Sequence, residues 1–120
     1  YSEAETLYRD DFLAEHPFED WIGPRREFLR QRYLTTVGRL IEMYRAGDDH
    51  VSVIAASQRL LRRDPTNEPI SRRLMQSHCA QGQRHLAAAE FHRCETALRR
   101  ELELKPSTET IDLFSRIRAN

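Results

Sequence analysis

The stretch from Gly47 to Gly82, GDDHVSVIAASQRLLRRDPTNEPISRRLMQSHCAQG, decides the fold. It opens on Gly47-Asp48 and closes on Gly82-Gln83, two breaks whose glycines lie 35 residues apart. Between them run two apolar stripes at helical spacing. The first is Val53, Ile54, Ser57, Leu60 and Leu61; the second is Ile70, Leu74 and His78. Asp64-Pro65 separates them, because proline cannot continue a helix beyond its first turn. Asp48 or Asp49 is a suitable N-cap for the first helix, and the second is expected from about Asn67 to Gln81. Gly47 suits the left-handed residue that closes the helix before it.

The pattern repeats outward. A long helical stretch precedes Gly47, carrying Leu29, Tyr33, Val37, Leu40, Ile41 and Tyr44 at spacings of three and four. Gly23-Pro24 near its start predicts either a proline in the first turn or a kink. After Gly82, residues 84–104 carry Ala87, Phe91, Cys94, Leu98 and Leu102, and Lys105-Pro106 ends them. Ser107 then caps a last helix with Ile111, Phe114 and Ile117 on one face. A short helix is expected over residues 2–8, with Phe12, Leu13 and Phe18 pinning the connector and Trp21 anchoring it. Two helix–turn–helix units near 34 residues are the period of the tetratricopeptide repeat, the second lengthened by about two turns. Ala55, Ala56, Ala87 and Ala88 supply the small side chains that close helix approach requires. The expected fold is all-α, a tetratricopeptide-like right-handed superhelix of antiparallel hairpins with about six helices. Each hairpin buries only one face, so the pairs must stack.

Composition sets the limits of function. The 120 residues carry 19 Lys and Arg against 19 Asp and Glu, a net charge of zero. That argues against binding nucleic acid or an anionic membrane through overall charge. Leu, Ile, Val and Phe make up 27 residues, just above the roughly one-fifth below which disorder sets in. No stretch approaches the roughly 18 apolar residues of a membrane span. Two cysteines, Cys79 and Cys94, do not make a disulfide scaffold and read as reduced thiols of a cytoplasmic protein. The sequence begins at Tyr1 without an initiator Met, which suggests a piece of a longer chain.

Catalytic and metal patterns find no support: there is no phosphate-binding glycine loop and no nucleophile elbow. His78, Cys79, His85, His92 and Cys94 fall across one hairpin, but His92 and Cys94 point about 200° apart on a helix. They cannot share one ion, so no metal, cofactor or catalytic residue is assigned. What remains is basic surface. Arg25, Arg26 and Arg30 form one cluster, with Arg32 beside them; Arg62, Arg63, Arg72 and Arg73 form another, with Arg59. The plain reading is solvated faces paired to neighbouring carboxylates. The functional reading is a patch for an acidic partner, or contact to the DNA backbone beside a separate reader domain.

Ordered motifs over nearly the whole chain resemble the bacterial transcriptional activator domain of SARP-type regulators. They are Leu7-Tyr8-Arg9-Asp10-Asp11-Phe12-Leu13, Pro17-Phe18-Glu19-Asp20-Trp21 and Glu27-Phe28-Leu29-Arg30-Gln31-Arg32-Tyr33-Leu34. Ala46-Gly47-Asp48, Leu60-Leu61-Arg62-Arg63-Asp64-Pro65 and Arg72-Arg73-Leu74-Met75 follow. Leu98-Arg99-Arg100-Glu101-Leu102 then leads through Pro106-Ser107-Thr108-Glu109-Thr110 to Ile117-Arg118. The resemblance implies one helical domain over residues 1–120 that supports activation through protein contacts. DNA would be read by a winged helix outside this stretch. It implies protein partners: RNA polymerase, other domains of the same regulator, or a second copy. A general peptide-binding adaptor and a small-ligand sensor are the alternatives.

Overall fold

The computed structural model describes residues 19–119. The expected helix over residues 2–8 and the pinning of the connector lie outside them. Five helices are described: α1 Glu19–Ala46, α2 His50–Arg63, α3 Glu68–Ala80, α4 Arg84–Leu102 and α5 Thr108–Ala119. There is no strand among the described residues, and the fold is all-α and tetratricopeptide-like. The chain divides into two compact units between Leu40 and Ile41, within α1. In the first, Tyr33 and Val37 are fully buried. In the second, α2, α3, α4 and α5 pack each against the next, and α5 also touches α3.

Pro24 lies inside α1. Its missing N–H would have reached the carbonyl of Asp20, in the opening turn, so the helix loses one bond close to its start.

The turns define the repeat. Asp49 N–H donates to Tyr44 O (2.8 Å) and Asp48 N–H to Arg45 O (3.0 Å) at the end of α1. Gln83 N–H donates to His78 O (2.8 Å) and Gly82 N–H to Cys79 O (2.9 Å) at the end of α3. Both are Schellman closures, each with its left-handed residue one position before the last donor. That residue is Gly82 (φ 74°) in the second turn, but Asp48 (φ 57°) in the first. Gly47 is not left-handed, which corrects the assignment by one residue. An aspartate tolerates this conformation because its short polar side chain bonds locally. The equivalent positions, Asp48 and Gly82, are therefore 34 residues apart. Asp49 then caps α2 by accepting from Ser52 N–H (3.2 Å), and Asn67 caps α3 by accepting from Ile70 N–H (3.2 Å).

The core follows the predicted stripes with instructive exceptions. Val53, Leu60 and Leu61 of α2, Ile70 and Leu74 of α3, and Ala87, Phe91, Cys94 and Leu98 of α4 are buried. Met75, Ala87, Phe91, Leu113 and Ile117 form one cluster, and Cys79 and Phe114 pack on it. Leu102 is 52% exposed, against expectation. The reason is length: α4 has 19 residues and α3 has 13, so about 9 Å of α4 overhangs its partner. On α5 the inward face is Thr110, Leu113 and Ile117; Ile111 is 41% exposed, which corrects its placement.

α4 stops at Glu103, whose left-handed conformation (φ 54°, ψ 39°) is unfavourable for a side chain with a Cβ. Glu103→Gly is expected to raise the unfolding free energy by about 1 kcal/mol. Urea melts check this; no gain would show that the position is not strained.

Candidate partner-binding groove

Two features give the face made by α1, α3 and α5 its form: a groove and a clamp. The groove encloses about 470 Å3 and takes residues from Glu42 at the end of α1, from α3 and from α5. Its charged lining is balanced, with Arg72, Arg73 and Arg116 against Glu42, Glu109 and Asp112. Arg73 binds Glu42 with two nitrogens, Nε to Oε2 at 2.7 Å and Nη2 to Oε1 at 3.2 Å. It also donates to Gln76 Oε1 (3.2 Å). Burial pushes the Glu42 carboxyl upward, but hydrogen bonds and charge from Arg73 and Arg45 outweigh it and hold it below its ordinary value. Arg72 donates to Thr110 Oγ1 (2.9 Å) and sits 3.6 Å from Glu109.

The clamp holds α5 at both ends. Glu68 opens α3, and its Oε2 accepts from Ser107 N–H (2.8 Å), Ser107 Oγ (3.0 Å) and Thr110 Oγ1 (2.7 Å). Ser107, the expected cap of α5, has its own N–H and hydroxyl held by this carboxylate from another helix. Arg84 opens α4 and donates to the Ile117 carbonyl from Nε (3.1 Å) and Nη2 (2.6 Å), and to the Arg118 carbonyl (3.2 Å). A carboxylate at the N-terminus and a guanidinium at the C-terminus both oppose the helix dipole favourably.

Burial raises the Glu68 carboxyl, but the bonds from Thr110 and Ser107 and the charge of Arg72 lower it further, so the net shift is downward. A lowered folded-state value means stability that is present above the ordinary carboxylate range and lost as pH falls through it. Glu68→Ala is expected to cost about 1–2 kcal/mol at neutral pH, the size of a lost cap. The cost should shrink as pH drops below 4 or so. Urea melts at pH 7 and pH 3 check both; an equal cost at the two pH values would reject the assignment.

The arginines singled out in the sequence separate into different places. Arg72 and Arg73 meet in the groove. Arg62 is exposed and lines a different cavity, and Arg63 is half-buried on α2. Arg25, Arg26 and Arg30 belong to the first unit, where Arg30 sits 3.6 Å from Glu27. Arg116, Asp112 and Gln76 line the groove and were not singled out. They belong to no charge cluster in the sequence; the one available signal was the i,i+4 spacing of Asp112 and Arg116 on the outer face of the last helix. Cys79 and Cys94 are both free thiols, and burial pushes both upward toward the protonated form. His92 is exposed and Cys94 buried, as their angular separation requires. Among the described residues no three His, Cys, Asp or Glu side chains converge as a metal site.

Consecutive packed helices, with the same closure at two turns 34 residues apart, define a tetratricopeptide-like domain. The bacterial transcriptional activator domain family matches over residues 1–118, and the chain belongs to that family. It is a transcription-regulator domain, not a member of an enzyme family. Neither the curated proteins nor the solved structures contain a match.

Proposed function

We propose that residues 1–120 form one regulatory domain of a SARP-type transcriptional activator, working in the cytoplasm through protein contacts. The family match over residues 1–118 carries the transcriptional part. The groove supports the protein-contact part: alternating cations and anions on three helices match a polar polypeptide surface better than an apolar ligand. RNA polymerase, another domain of the regulator, or a second copy is the partner. Promoter sequence is read by a winged helix outside these residues. No described helix is long and apolar enough to cross a membrane.

The arginine surface predicted from sequence narrows under this reading. Arg72 and Arg73 shape the groove while tied to Glu109 and Glu42, and Arg116 is its exposed cation. Arg116→Glu in the full-length activator is expected to lower reporter transcription about tenfold, the effect of losing one interfacial contact of 1.4 kcal/mol. Promoter occupancy should not change, and the isolated chain should show no sequence-dependent shift of promoter DNA in a gel. Nanomolar, sequence-dependent DNA binding by the isolated chain would overturn the proposal. So would a fall in promoter occupancy that matches the fall in transcription.

A second reading, a general adaptor that binds an extended peptide, is favoured by one observation: the groove takes its lining from alternate helices, α1, α3 and α5, with Arg72, Arg73, Gln76 and Arg116 among them. A partner-derived peptide that competes with the whole partner for the groove would support this adaptor mode.

A further inference from the structure

A second cavity, of about 440 Å3, opens on a different face of α3, between α2 and α4. Its floor is Leu61 and Leu74, both buried, and its rim includes Leu86, 38% exposed, and Ala89. Gln58 and Arg62, one turn apart on α2, form its polar edge. The volume lies in the range of small-molecule sites, roughly 300–1,000 Å3, and the leucines and Ala89 give it an apolar trough bordered by polar side chains.

The charges facing this cavity differ sharply in what they already bind. Arg93 has its guanidinium on Glu90, on Ser71 Oγ (3.1 Å) and on the Pro65 carbonyl (3.1 Å), so neither it nor Glu90 has an uncompensated charge. His78 also lines the wall, with Nδ1 3.1 Å from Gln83 Oε1. Arg62 forms no ion pair with any described residue. One uncommitted cation therefore stands beside an apolar trough. A guanidinium in that position is the natural partner of a carboxylate, which it can bind with two parallel hydrogen bonds.

We propose that this cavity binds a small amphipathic monocarboxylate. Its carboxylate lies on Arg62, and its apolar body covers Leu61, Leu74 and Leu86. Such a ligand would rest beside the Glu90–Arg93 pair that joins α4 to α3, and would stabilise the folded hairpins by mass action. The site is separate from the charged groove and does not depend on the partner reading above.

The test uses octanoate, octan-1-ol and octyltrimethylammonium below their aggregation concentrations, titrated into the full chain with methyl NMR as the readout. Octanoate is expected to shift the Leu61, Leu74 and Leu86 methyls saturably, and to bind about tenfold more tightly than the alcohol, the difference one charged contact supplies. The cation should bind more weakly still. Arg62→Gln should remove the preference for octanoate while leaving alcohol binding unchanged. Ala89→Phe, at an exposed position, should fill the trough and abolish both. Absence of saturable octanoate binding, equal affinity for octanoate and octanol, shifts confined to other residues, or octanoate binding unchanged in either variant would overturn the proposal.

Discussion

Phe91→Ala is expected to lower the unfolding free energy by about 3–5 kcal/mol. Phe91 is buried within the cluster of Met75, Ala87, Leu113 and Ile117, so truncation leaves a cavity bounded by three helices. Its ring also lies parallel to that of Phe114, with centroids 4.0 Å apart. Phe114 in turn carries the Arg118 guanidinium at 5.5 Å. Losing Phe91 therefore removes the main apolar seat of α5 as well as its own transfer free energy. For a chain of this size that is a large share of a total stability of about 5–15 kcal/mol. Equilibrium urea unfolding measures it; a change below about 1 kcal/mol would show that Phe91 is not a core residue.

Arg93→Ala is expected to cost about 3 kcal/mol, for a different reason. Glu90 is buried and accepts from Arg93 Nε (2.8 Å), Arg93 Nη2 (2.8 Å) and Ser71 Oγ (2.7 Å). Without Arg93 the carboxylate keeps only the serine, and the Pro65 carbonyl loses its donor. The figure sits at the low end for a broken buried pair because the Arg93 side chain is 37% exposed and water can partly replace it. Glu90→Leu with Arg93→Met should recover much of the loss, since it removes both charges and not one. If the double variant is as unstable as Arg93→Ala, the cost lies in packing and not in an unpaired charge.

The apolar periodicity made most of the fold legible. Val53, Leu60, Leu74, Phe91, Cys94 and Leu98 are inside because a 3.6-residue stripe has only one face to bury. The errors came from what periodicity does not encode. Leu102 continues the stripe of α4, but the shorter α3 leaves nothing beside it to pack against. Ile111 shares the spacing of Phe114 and Ile117 in the sequence, but Thr110 takes the buried position through its bonds to Glu68 and Arg72. Glycine preference pointed to Gly47; the hydrogen-bonding pattern selects Asp48. The groove was half legible. Arg72 and Arg73 stood out as a basic pair, but Glu42 lies 31 residues from Arg73 and Arg116 lies on another helix, so no local window joins them.

The fastening of α5 by Glu68 and Arg84 meters the helix. Each fastener sits at the first residue of a helix in the preceding hairpin, so the span between them is set before α5 begins. One residue added to or removed from α5 would shift its far end by about 1.5 Å and turn it by about 100°. Either Glu68 or Arg84 would then lose its grip. Substitutions on the outer face of α5 leave its length and both attachments intact, whereas an inserted or deleted residue breaks one of them.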